Sequence, residues 1–138
     1  LTQWSVLENL IIKNSNAPSS LSTITEELHW EDSWAYSVGA DWTANNGMIY
    51  RAGLGIDKTP VTDEHRSVRV PSGDRTVASL GLTYPINDKM AIDAAYMFLK
   101  EKTAHVDRVK GSPTGPITYS ADYNGTGHLI GLQLNMKF

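Results

Sequence analysis

Four charged residues stand inside otherwise apolar, alternating segments of the 138-residue chain: Asp41, Arg51, Asp57 and Asp93. A guanidinium such as that of Arg51 can hold a carboxylate through two parallel N–H···O bonds, so this set has the makings of an anion contact. The plainer reading is mutual neutralisation, with Asp41 as the counter-ion of Arg51 and the pair bracing a sheet. A second set lies in residues 58–75, KTPVTDEHRSVRVPSGDR, the richest concentration of charge in the chain. Lys58, His65, Arg66, Arg69 and Arg75 alternate there with Asp63, Glu64 and Asp74. A net positive mouth would draw in anionic amphiphiles or phosphates. The interspersed signs favour a self-paired, solvated loop, with Asp74 and Arg75 pinning its base.

Catalysis has little to work with. His29, His65, His105 and His128 have no partner at a spacing that suggests a dyad, and Ser67 near His65 is a common coincidence. Neither HxH nor HExxH occurs, so no metal site is expected. Cysteine is absent, which removes disulfides, thiolate chemistry and cysteine zinc sites. No enzyme activity and no cofactor are expected. The formal net charge of -3 argues against a nucleic-acid partner.

The elements that position these residues are strands. Residues 126–138, TGHLIGLQLNMKF, place Ile130, Leu132, Leu134, Met136 and Phe138 on one parity and Leu129, Gly131, Gln133, Asn135 and Lys137 on the other. Such period-2 alternation predicts a strand with one apolar and one mostly polar face. Residues 33–43 repeat it, with Trp34, Tyr36, Val38, Ala40 and Trp42 on the apolar side. At about 3.3 Å per residue and a tilt of roughly 40°, Trp34 and Trp42 differ in depth by about 20 Å, near the roughly 25 Å apolar band of a membrane barrel. Asn45-Asn46-Gly47 predicts a three-residue loop with Gly47 left-handed, which sets Trp42 opposite Tyr50, Asp41 opposite Arg51, Gly39 opposite Gly53 and Val38 opposite Leu54. Further strands are expected at 2–13, where Glu8 breaks the apolar face, and at 48–57, 76–84 and 90–100. A connection at Pro85–Lys89 would put Asp93 opposite Gly81. The inward glycines (Gly39, Gly53, Gly55, Gly81, Gly131) suggest space inside, or relief where strands bend.

The expected fold is therefore all-β: an antiparallel transmembrane β-barrel meander of six strands. Long loops (14–31, 58–75, 103–120) alternate with short links (44–47, 85–89). That asymmetry belongs to outer-membrane barrels, with long loops extracellular and short turns and the C-terminus periplasmic. A mean hydropathy of -0.30 is compatible with a barrel, and no run approaches the 18 apolar residues of a membrane helix. The chain begins Leu-Thr-Gln-Trp, without Met or a signal peptide, so a mature or truncated fragment is expected. Six strands alone would leave two unpaired edges in hydrocarbon, which predicts missing upstream sequence, partner copies or a small non-native assembly.

Several segments together resemble the C-terminal part of the FadL family of long-chain fatty-acid and hydrophobic-compound transporters. They are Trp4-Ser5, Trp30 with Asp32-Ser33-Trp34, and RAGLGIDKTPVTDEHRSVRVPSGDRTVASLGLTY with Arg51, Gly53, Asp57, Pro60, Val61, Arg66, Pro71, Asp74, Arg75 and Gly81 in place. The terminal strand ending in Phe138 also resembles the signal read by the barrel-assembly machinery. The resemblance implies a fourteen-stranded barrel in the bacterial outer membrane, of which this chain supplies the last six strands, a small N-terminal plug, and passive uptake of hydrophobic molecules captured outside and released through the lumen or wall. Fatty acids, detergent, outer-membrane lipid and lipopolysaccharide are the expected partners, with Arg51, Asp41, Asp57, Asp93, Arg66 and Arg75 the expected contacts at the lumen or entrance. The rival is a structural or adhesive barrel whose outer loops bind a host or phage partner.

Overall fold

The computed structural model describes residues 1–16, 18, 22–110 and 115–137. Phe138 and parts of the first and third expected loops, including Ser19, Ser20, Gly111 and Pro113, lie outside the described residues. Nine strands appear among the described residues: β1 Asn9–Lys13, β2 Thr23–Glu27, β3 Ala35–Thr43, β4 Ile49–Asp57, β5 Arg75–Asn87, β6 Met90–Glu101, β7 Ala104–Lys110, β8 Ile117–Tyr123 and β9 Thr126–Met136. They fall into two compact units: residues 1–34, 58–73 and 103–123, and residues 35–57, 74–102 and 124–138.

The second unit is one antiparallel sheet in the order β3-β4-β5-β6-β9. Its first hairpin has the expected register, with Asp41 opposite Arg51 and Trp42 opposite Tyr50. Gly47 closes the turn at φ +82°, and the Ala44 N–H donates to the Met48 carbonyl at 2.8 Å. The β5–β6 register differs from expectation. β5 runs on to Asn87, which pairs with Met90 across a bulge at Pro85/Asn87, so Asp93 faces Thr83 and Gly81 faces Ala95. The tighter turn moves the pairing by two residues and keeps every side chain on its expected face.

One face carries Tyr36, Val38, Trp42, Leu54, Leu80, Ile130 and Leu132, all exposed, with Ile130 at 81%. A continuous apolar face of this size requires lipid or protein against it. Trp42 and Tyr50 stack on it near one border, at 5.5 Å. Towards the other border, Phe98 and His128 meet at 5.2 Å, and the Tyr96 hydroxyl and His128 Nδ1 are hydrogen-bonded at 2.7 Å. Aromatic rings along both borders of an apolar band are the barrel pattern. Trp34 precedes β3, so Tyr36 is the first aromatic within that strand.

Residues 2–13 do not join this sheet, which has five strands rather than six. Trp4–Val6 form a 3-10 turn, Thr2 bridges Ser33, and β1 pairs with β2 inside the segment read as the first loop. β7 and β8 likewise pair with each other, from within the third to three residues past its expected end at 120. All belong to the first unit, whose buried apolar centre is Val61, Ala104 and Val106. There the Ser5 N–H donates to Asp32 Oδ1 at 3.0 Å. Hydrogen bonds from the Ser5 side chain and backbone hold the Asp32 carboxyl below its ordinary range. Its folded pKa is depressed, so the stability it adds is present above the unfolded value of about 3.9 and lost as pH falls through the lower folded value. Ser5→Ala is expected to raise the Asp32 titration midpoint towards that unfolded value, read by carboxyl NMR.

Candidate functional site

The face of the five-stranded sheet opposite the aromatic one is lined at mid-height by small residues: Gly39, Gly53, Ser79, Gly81, Ala95 and Gly131. They leave a hollow of about 700 Å³, bordered by Asp41, Arg51, Met97 and Leu129. Glycine at 81 has a specific use, because a Cβ there would stand 3.3 Å from Arg51 Cβ and 3.7 Å from its Cδ. The arginine side chain therefore packs over Gly81, where the absence of a side chain leaves it room.

Arg51 Nη1 donates to Thr83 Oγ1 at 2.7 Å. The Thr83 hydroxyl donates to Asp93 Oδ1, and Asn135 Nδ2 donates to Asp93 Oδ2 at 2.6 Å. Gln133 Nε2 donates to Asn135 Oδ1 at 2.6 Å. A polar chain thus spans β4, β5, β6 and β9 on the inner face, with a cation at one end and a carboxylate in its middle. The expected neutralisation of Arg51 by Asp41 is corrected: the two are ladder partners, yet among the described residues the guanidinium is hydrogen-bonded to Thr83 and no ion pair within 4.0 Å joins it to Asp41. Asp93, through the Thr83 hydroxyl, is its linked counter-charge.

The other expected site residues lie elsewhere. Asp57 and Arg75 are ladder partners at the end of the sheet from which the long connections leave. Arg75 Nη1 is 4.0 Å from Asp57 Oδ2, and its Nε is 3.4 Å from Glu101 Oε1. The three clamp β4, β5 and β6 together. Arg66 belongs to the first unit and is only 6% exposed. Its Nε donates to the Ser72 carbonyl at 3.1 Å, Nη1 to the His105 carbonyl at 3.2 Å and to Asp63, and Nη2 to the Val61 carbonyl at 3.4 Å. An arginine so enclosed is a strut of the 58–73 segment, and the expectation that it lines an open entrance is corrected on that ground.

Thr83, Gln133, Asn135 and Glu101 were missed in the sequence. Their signal was parity alone: each falls on the same parity as the small residues of the inner face. The histidines also differ from expectation. His105 Nδ1 pairs with Asp122 at 2.7 Å, and His29 and His65, far apart in the chain, come together beside Glu27.

An antiparallel sheet with an exposed, aromatic-bordered apolar face, a hollow polar-bridged face, and connections that are long at one end and short at the other is the wall of an outer-membrane β-barrel. The chain belongs to the outer membrane protein transport protein family (OMPP1/FadL/TodX), which it matches over residues 1–138. It is 30% identical over 142 residues to outer membrane protein P1 of Haemophilus influenzae, covering 99% of this chain and 30% of that protein. It is 27% identical to a long-chain fatty acid transport protein of Escherichia coli O6:H1, covering 99% and 29%. The crystal structure of a Pseudomonas aeruginosa FadL homologue superposes with a TM-score of 0.80 at 25% identity, over 97% of this chain and 30% of that one. The chain thus spans about three-tenths of the length of the relatives it matches.

Proposed function

We propose that this chain is part of a barrel that takes up long-chain fatty acids or similar hydrophobic molecules across the outer membrane. The reading is carried by the inner hollow, apolar in most of its lining yet bordered by a cation, Arg51, with a linked polar chain behind it. An acyl chain gains about 0.8 kcal/mol per CH₂ on leaving water, which drives entry without an energy source, and Arg51 meets the carboxylate. Asp41 and Asp93 repel an anion that strays along the same face and so direct it to the guanidinium. Asp57 and Arg75, with Glu101, brace the rim through which the ligand passes. The long connections 58–74 and 102–125 leave one end of the sheet and the short turns leave the other, which supports a cell exterior at the first end and a periplasm at the second. Lipopolysaccharide would lie against the exterior border of the aromatic face, and the last strand would be the one engaged by the assembly machinery. The family membership and the relatives named for fatty acid transport favour uptake over adhesion.

The test is uptake of radiolabelled palmitate by cells that lack their own long-chain fatty acid transporter and express the complete protein. Uptake is expected, and Arg51→Ala weakens palmitate binding about fivefold, the scale of one exposed ion pair. Binding of hexadecane, which has no carboxylate, stays unchanged. Equal losses for both ligands would remove Arg51 from the carboxylate contact, and an absence of uptake would favour adhesion.

A further inference from the structure

We propose that Glu27, His29 and His65 form a transition-metal site, best suited to Zn²⁺, that fastens the β1–β2 hairpin to the 58–73 segment. One donor atom from each residue lies within 4.8 Å of the other two. Donors bound at about 2.0–2.1 Å in a tetrahedron stand about 3.4 Å apart, so the widest pair closes by about 1.4 Å, within reach of small side-chain rotations. The His29 and His65 rings are tilted by 59° with centroids 4.8 Å apart, so they are not stacked in parallel against each other.

Two further features prepare the site. His65 Nδ1 lies 3.2 Å from Thr62 Oγ1, which also accepts the His65 backbone N–H at 3.3 Å. With Nδ1–H donating to that hydroxyl, Nε2 carries the lone pair a metal requires, and the ring is fixed by its outer partner as ligating histidines are. His29 has φ +41° and is the one non-glycine residue in the left-handed region among the described residues. The Leu28 and His29 N–H groups both donate to the Glu8 carbonyl, at 2.8 and 3.1 Å, which holds the bend that turns His29 towards His65. A constrained backbone at a non-glycine residue is a common mark of a functional position. Glu27 ends β2, while its neighbour Glu26 is engaged by Arg69 at 2.9 Å. The same two segments are thus tied once by an ion pair, and a metal would tie them a second time.

Two imidazoles and one carboxylate, with a fourth position open to water, are a zinc-type donor set. Copper binds such sets more tightly and magnesium and calcium much less, because the hard ions prefer oxygen.

The complete protein in detergent, stripped with EDTA, is titrated with ZnCl₂ by calorimetry and digested with a protease with and without the ion. One equivalent of Zn²⁺ is expected to bind and to slow cleavage within 22–31 and 58–73, while Mg²⁺ does neither. His29→Ala or His65→Ala abolishes both effects, Thr62→Val weakens binding by about tenfold, and His105→Ala changes nothing. Should a histidine variant misfold, the Zn²⁺ and Mg²⁺ comparison on the unaltered protein decides. No saturable zinc binding, protection by both ions alike, or zinc binding that survives His65→Ala in a folded protein would overturn the proposal.

Discussion

Arg66→Ala is expected to destabilise the 58–73 segment by about 3 kcal/mol, roughly a hundredfold in its local opening equilibrium. The change removes the donors that reach the Val61, Ser72 and His105 carbonyls and takes away a side chain that is itself only 6% exposed. Asp63→Ala removes the formal ion pair and should cost far less, about 0.5 kcal/mol, because the Asp63 side chain is 92% exposed and solvated either way. Arg66→Lys should behave nearly as badly as Ala, since one ammonium cannot serve three carbonyls in different directions. Limited proteolysis of the complete protein in micelles reads the opening, and the heat-dependent gel shift of the barrel confirms that the wall has formed. If Asp63→Ala opened the segment as much as Arg66→Ala, charge pairing rather than the carbonyl contacts would be the source of its rigidity.

The second large effect separates two adjacent residues at the same depth. Ile130 belongs to the mid-sheet row Ala40, Ala52, Leu80, Tyr96 and Ile130, and Leu129 to the opposite face with Gly39, Gly53, Ser79 and Met97. Ile130→Arg puts a guanidinium into hydrocarbon and is expected to cost about 2–4 kcal/mol of folding stability in bilayers, as charges at the lipid midplane do. Leu129→Arg points into the hollow and should cost less than about 1 kcal/mol. Denaturant titration of both variants in liposomes, followed by tryptophan fluorescence, measures the difference. Equal costs would mean that the two faces do not divide lipid from interior.

The sheet was largely legible because its rules are local. Parity assigned the faces of 33–43, 48–57 and 126–138, and Asn45-Asn46-Gly47 fixed both loop length and register for Asp41 and Arg51. The β5–β6 register escaped because nothing in Pro85-Ile86-Asn87-Asp88-Lys89 announces the bulge that tightens the turn, and Asp93 was placed opposite Gly81 in consequence. Trp4 and Val6 share a parity with Leu10 and Ile12, yet Glu8 interrupts them. That interruption marks the break between the 3-10 turn and β1. The hairpins within the long connections were hidden by polar composition, although Ala104, Val106 and Arg108 alternate visibly once β7 is known. Of the site, the charged members Arg51 and Asp93 were found by their inconsistency with an apolar strand. Thr83, Gln133 and Asn135 are neutral and gave no such signal. The approach of His29 to His65 depends on how separate segments pack, which no spacing in the chain encodes.

The division of the sheet into a lipid face and an interior face is tested most directly by a nitroxide scan. Single spin labels at positions 127–133 of the complete protein in liposomes report collisions with oxygen, which concentrates in hydrocarbon, and with a nickel chelate, which stays in water. Oxygen contact should peak at 128, 130 and 132 and chelate contact at 127, 129, 131 and 133. Collision rates that vary smoothly along this stretch, or that peak for oxygen at the odd positions, would contradict it.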